Sequence, residues 1–255
     1  MKKLRILCIL AAISLLSACA ESGGGSVLGN IAYKKKNQSP EEYTVYIQED
    51  GIYQPYLVLT DNYNGNVLLL RERLLPGEFI MRDISSSGFK ASYYPNTDID
   101  FFLKNEFLDI FTPSVLDMIV ESEIIVTNEE GLNDWHGNDV TETITRKVFL
   151  LSASELGIRS GMRHNEGKSL KYFRDIGGAG AVDDNGGVGV LWLRTPCLWS
   201  DIEMWVVNSN GLRGPCPVSK PQKIRPAFCL PIDAPITQEY IDGKLVYVLE
   251  AESDV

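Results

Sequence analysis

Three cysteines, Cys197, Cys216 and Cys229, stand within 33 positions in the stretch "WLRTPCLWSDIEMWVVNSNGLRGPCPVSKPQKIRPAFCLP". Thiols so close together could ligate a metal, supply a nucleophile or form a covalent bridge. A metal site needs ligand spacing that this stretch lacks. A catalytic thiol needs a partner histidine. The chain has only His136 and His164, both in polar loop sequence and neither in an H-x-x-x-H or H-x-x-E-H pattern. Both are expected as loop residues, and no metal ion is expected. No G-x-S-x-G elbow marks an activated serine. The glycine-rich "GGAGAVDDNGGVG" lacks the G-K-[ST] ending of a phosphate loop and the third glycine of a dinucleotide fingerprint. Its "DDNG" is half of a calcium loop without the remaining oxygen ligands. No cofactor is expected. Carboxylates remain: Asp183, Asp184, Asp201 and Glu203 could serve as general acid and base, if two of them stood at a defined separation.

The compartment decides how the thiols are read. Lys2, Lys3 and Arg5 precede an apolar run of eleven residues, Ile6 to Leu16. That is well short of the about 20 needed to cross a hydrocarbon core, and it fits the centre of a secretory signal peptide. Leu16-Ser17-Ala18-Cys19 resembles a bacterial lipobox. The resemblance implies removal of residues 1–18, acyl chains on Cys19, and membrane lipid as a partner. The "AESGGGSVLGN" that follows reads as a flexible spacer, so residues 19–40 are expected to be the lipidated cysteine and its tether. Cell membrane and outer membrane both remain open; Ala20, where an aspartate would mark retention, leans toward the outer one. On the exported face disulfides persist. Cys197 and Cys216 bracket the Asn208–Gly211 turn and are expected to close a loop of about 20 residues, contributing roughly 3 kcal/mol in the chain-entropy account. Cys229, among apolar neighbours, is expected as a buried thiol. Without Lys2, Lys3 and Arg5 the 24 basic residues become 21 against 34 acids, a net charge of −13. That balance opposes nucleic acid and anionic lipid surfaces.

The elements that must position these groups follow from periodicity. "YTVYIQ" and "YLVLT" read as strands, and "DNYNGN" turns them into a hairpin with "VLLLRERLL". Thr97 or Asp98 caps a helix carrying Ile99, Phe102, Leu103, Phe107 and Ile110 on one face. Thr112-Pro113 breaks it and a second short helix follows. "EIIVTN" is a strand, as is "TITRKVFLL", with Ile144, Val148 and Leu150 on one face. Ser152-Ala153-Ser154-Glu155 is a capping box expected to start a helix. "KSLKYFRDIG" reads as a helix ended by glycine. "VLWLR", "EMWVVNSNGLRG" and "IRPAFCL" read as late strands, and "ITQEYIDGKLVYVLE" as a hairpin turning at Asp242-Gly243. This order predicts an α+β fold: a single domain of mostly antiparallel sheet with a few short helices over residues 41–232, extended by a C-terminal hairpin over 233–255.

Three motifs, "KVFLLSASELG", "LWLRTP" and "IRPAFCLP", occur here in an order that resembles an uncharacterised domain family of bacterial surface and phage-associated proteins. Members of that family also carry a helix of the form "W..S.iR.WLN..F". Here "YYPNTDIDFFLKNEFLDIF" takes its place without the tryptophans and arginine, so no ligand role carries over from those side chains. The closing strands also resemble C-type-lectin-like folds, an analogy of fold alone. The calcium-dependent sugar triplets Glu-Pro-Asn and Trp-Asn-Asp are absent. Within the motifs, Arg194 and Arg225 lie in otherwise apolar strands and Glu155 caps the turn nearby. A buried arginine needs a partner, so pairing of Glu155 with one of them, in a structural role, is expected.

Among the aromatics, Trp192 and Trp205 are expected in the core, and Trp135 and Trp199, in loops, as candidates for an exposed ligand face. The combined expectation is a lipid-anchored, extracytoplasmic, non-catalytic module that binds a glycan or protein ligand. Two alternatives stand beside it: an envelope-polymer hydrolase using the carboxylates above, and a structural envelope lipoprotein.

Overall fold

The structure, a computed structural model, describes residues 26–85, 90–132, 140–158, 164–198, 200–208, 210–211 and 213–251. In chain order the elements are β1 (Ser26–Val27), β2 (Thr44–Glu49), β3 (Ile52–Tyr63), β4 (Asn66–Arg71), α1 (Asp98–Asn105), α2 (Pro113–Met118), β5 (Ser122–Thr127), β6 (Thr141–Arg146), β7 (Val148–Phe149), α3 (Lys171–Ile176), β8 (Leu191–Pro196), β9 (Glu203–Val207), β10 (Arg213–Pro217), β11 (Ala227–Leu230), β12 (Pro235–Ile241) and β13 (Lys244–Leu249). The main sheet has eight strands in the order β1-β12-β13-β2-β3-β4-β11-β7. Every pair in it is antiparallel except β13 with β2. A three-stranded sheet, β10-β9-β8, and the β5-β6 hairpin complete an α+β fold of mostly antiparallel sheet with few short helices.

The hairpins follow from their turns. Asn64 and Gly65 (φ 53 and 84) join β3 to β4, and Asp242 and Gly243 (φ 50 and 77) join β12 to β13. Two consecutive left-handed residues match the strand twist, which is why Asn-Gly and Asp-Gly occupy these places. The helix at Asp98 is capped as expected, with the Thr97 side chain accepting from the Asp100 N–H at 3.1 Å. Pro113 opens α2, again behind a threonine cap. α1 lies against β7 and α3 against β3. One apolar core runs from Leu28 to Leu249 and includes Trp192 and Trp205.

Four expectations are corrected. The tether does not reach residue 40: from Ser26 the chain pairs with β12, and Leu28, Ile31, Ala32 and Tyr33 are buried. These side chains repeat closely enough to pack, and the glycines before them obscured this. The C-terminal hairpin is no appendage, because β13 inserts between β12 and β2. The run "TITRKVFLL" is two strands in different sheets, β6 with β5 and β7 with β11, separated by a bend at Lys147. Finally, no disulfide joins Cys197 to Cys216. Cys216 lies opposite Met204 on one side of β9, while Cys197 follows β8 on its other side and its N–H donates to the Glu203 carbonyl. With β9 between them the two backbones stand about two strand spacings, or roughly 9–10 Å, apart, beyond what a disulfide spans.

Candidate functional site

The motif residues assemble first around Arg194 on β8, whose side chain is wholly buried. Its Nη1 and Nη2 donate to Glu155 Oε2 and Oε1 at 2.8 and 3.0 Å, a bidentate pair. The same nitrogens donate to the carbonyls of Leu150 (2.7 Å) and Glu166 (3.1 Å), and Nε donates to that of Ile125 (3.2 Å). All five guanidinium N–H groups therefore have acceptors. Burial pulls this guanidinium down, but the field and hydrogen bonds of Glu155, with help from Tyr63 and Glu166, more than reverse it and hold it charged. Glu155 in turn accepts from the Ser152 N–H (2.8 Å) and the Tyr63 hydroxyl (2.6 Å). The Ser152 hydroxyl accepts from the Glu155 N–H at 3.1 Å, so both capping-box bonds form. They close a turn instead of the expected helix: the Glu155 carboxylate is tied to Arg194, and Gly157 (φ 75) turns the chain away.

A buried carboxylate that sequence reasoning missed, Glu166, completes this centre. Its Oε1 accepts from the N–H and hydroxyl of Thr127, both at 2.8 Å, and its Oε2 from the Thr195 hydroxyl. Burial raises the Glu166 carboxyl, opposed by the charge of Arg194 and these hydrogen bonds. The assembly stitches β5, β8, the Ser152–Glu155 turn and Glu166 together, and it leaves no donor of Arg194 for a ligand. Its role is structural.

Arg225, just before β11, is the opposite case. It is 6 % exposed, yet its Nε donates to the Arg71 carbonyl (2.6 Å), its Nη1 reaches the Ala179 carbonyl at only 3.5 Å, and its other N–H groups have no partner among the described residues. Among the described residues no carboxylate lies within 4.0 Å of it. Burial lowers it to about 10, and the fields of Tyr172 and Glu72 offset this only in part. It lines an open cleft of about 480 Å³ whose other walls are Tyr43, Tyr172, Glu72 and the 180–186 loop. That volume lies within the roughly 300–1,000 Å³ of small-molecule sites.

Local structure fixes each wall. Tyr33, Tyr43 and Tyr172 form an edge-to-face trio with ring centroids 5.2, 5.2 and 5.9 Å apart. The loop is held by a hydrogen bond from the Leu74 N–H to the Val182 carbonyl (3.0 Å). Asp183 Oδ1 accepts from the N–H groups of Asn185 and Gly187 at 2.9 and 2.7 Å, closing the loop's turn. Asp184 lies 3.6 Å from Arg73 and 4.0 Å from Arg71. Arg71 is itself buried against Glu49 at 2.8 Å. Two acids of the cleft are thus engaged. Glu72, half-buried, has neither a hydrogen bond nor an ion pair at its carboxylate among the described residues.

A second cleft of about 680 Å³ opens beside Tyr63, Glu155, Glu123 and Lys168. Its deepest charge, Glu155, is already neutralised by Arg194. The structure does not gather the four carboxylates named from sequence: Asp183 and Asp184 line the Arg225 cleft, and Asp201 and Glu203 line neither cleft. Trp192 is buried, its indole N–H donating to the Phe79 carbonyl at 2.9 Å. His164 Nε2 lies 3.2 Å from the Gly131 carbonyl. Cys19, Trp135, His136 and Trp199 lie outside the described residues. Among the described residues no group of three metal-ligating side chains comes together.

Residues 64–232 match the family described as Domain of unknown function (DUF6273). The chain belongs to this family. The three motifs quoted above all lie inside the matched segment. No curated protein and no solved structure matches the chain. The DUF6273 segment supplies only β4, β7 and β11 to the main sheet, while β1, β2, β3, β12 and β13 lie outside it. In the Arg225 cleft it provides Glu72, Tyr172, the loop and Arg225, and the flanking chain provides Tyr43.

Proposed function

We propose that this chain is a lipid-anchored, extracytoplasmic binding protein whose ligand, a glycan or a protein segment, seats in the Arg225 cleft. The observation that carries the reading is the contrast between two buried arginines. Arg194 has every N–H engaged, whereas Arg225 faces an open cleft with most of its donors unspent. The donors that Arg225 turns to the open cleft are met there by water, and a ligand whose oxygens accept from the guanidinium takes that water's place in a charge-assisted hydrogen bond. The carboxylates favour binding over hydrolysis. General acid–base cleavage of a glycan needs two available acids, and here Asp183 holds a turn and Asp184 faces two arginines, leaving Glu72 alone.

The test is a glycan and peptide array probed with the full chain in detergent, wild type beside Tyr172→Ala. The expected outcome is one retained ligand class whose binding falls about tenfold or more in the variant, as for loss of an aromatic anchor. Equal binding by the two proteins would remove the cleft from the account.

A further inference from the structure

Resting on that reading of the cleft, the charges left unspent in it narrow the ligand. Five ionisable side chains line it besides the tyrosines: Arg73, Arg225, Glu72, Asp183 and Asp184. Asp184 faces Arg73 and Arg71, and Asp183 is held by two backbone N–H groups. Asp183 keeps its charge but spends Oδ1 on its own turn; among the described residues the groups left facing the cleft without a counter-charge are then one cation, Arg225 on the floor, and one anion, Glu72 on the wall, more than 4.0 Å apart. A polyanion would satisfy the guanidinium but meet Glu72 and the acidic loop. A polycation would do the reverse.

From this pairing we infer that the cleft takes an uncharged saccharide, whose hydroxyls accept from Arg225 and donate to Glu72 while a ring face lies against Tyr172. A sugar hydroxyl is both donor and acceptor, so one ring can bridge two groups of opposite sign without carrying charge itself. Its C–H face suits an aromatic wall whose edge-to-face packing with Tyr33 and Tyr43 holds it in place. A free amino acid would also match one charge of each sign, but a cleft of about 480 Å³ leaves most of its volume unfilled by one. The sequence hides the site, because Glu72, Tyr172 and Arg225 are separated by about a hundred and about fifty positions and no spacing rule joins them.

Calorimetric titration of the full chain in detergent tests the inference, with maltotetraose, cellotetraose and chitotetraose as neutral probes, tetragalacturonate as the acidic one and dialanine as the zwitterionic one. At least one neutral probe is expected to bind most tightly, and Glu72→Gln and Tyr172→Ala are each expected to weaken it about tenfold, the scale of one charge-assisted hydrogen bond or one aromatic contact. Both side chains are half-buried, and circular dichroism of each variant checks the fold. Tightest binding of tetragalacturonate, strengthened by Glu72→Gln, would overturn the neutral-sugar inference; so would tightest binding of dialanine. In either case weakening by Tyr172→Ala would leave the cleft itself standing. Neutral binding untouched by both variants would overturn the inference and the cleft together. Binding of no probe would overturn the saccharide inference and leave the protein-segment arm of the array to judge the cleft.

Discussion

Glu155 and Arg194 exclude each other's removal. Glu155→Ala leaves a guanidinium buried with no counter-charge, and unfolding free energy from urea titration is expected to drop by about 3–5 kcal/mol; a loss under 1 kcal/mol would contradict the buried pair. Glu166 makes a pH prediction of unusual sign. Burial raises its carboxyl in the folded chain, so between the ordinary carboxylate value of about 4.3 and the raised one the folded state holds the proton more firmly than the unfolded state does. Stability from this group is greatest below that window and declines as pH rises through it. Glu166→Gln removes the effect, so the difference between wild-type and variant urea midpoints should change across the acidic range; parallel profiles would refute it. The thiols give a third residue-scale outcome. With no Cys197–Cys216 bridge and Cys19 acylated, the unreduced, denatured mature chain should titrate three thiols. One thiol would restore the bridge.

At the scale of elements, the sequence was most legible where a local rule acts alone. Asn64-Gly65 and Asp242-Gly243 announce their hairpins because few residues tolerate that turn, and Thr97 announces α1 because its hydroxyl bonds within its own segment. It was least legible where a distant partner decides. Alternation could not tell that Lys147 bends the chain so that Val148 leaves β6 for β11, and the Ser152–Glu155 box gave no warning that Arg194 would hold its carboxylate in a turn. The pairing of Glu155 with an arginine was readable, because a charge in an apolar strand demands a counter-charge. Arg225 was readable as unusual but not as a cleft floor, since Tyr43, Glu72 and Tyr172 reach it from separate elements. The sheet order yields its own prediction. Cutting the chain after Ile232 removes β12 and β13, strips β1 of its partner and bares β2 as an open edge. Calorimetry of that truncated chain should show no cooperative transition; a transition close to that of the full chain would mean the hairpin is dispensable.

At the scale of the whole molecule, the proposed anchor rests on the lipobox-like Leu16-Ser17-Ala18-Cys19 alone. Labelled palmitate should enter the wild-type chain and be lost in Cys19→Ala; labelling that persists would contradict the anchor. The central claim is that the ligand occupies the Arg225 cleft. Amide hydrogen exchange of the full chain, with and without the ligand class retained on the array, tests it most directly. Slowed exchange confined to residues 40–43, 171–173 and 180–186 is the predicted result. Unchanged exchange there, with protection appearing instead around the Tyr63–Glu155 cleft or along 203–217, would contradict it.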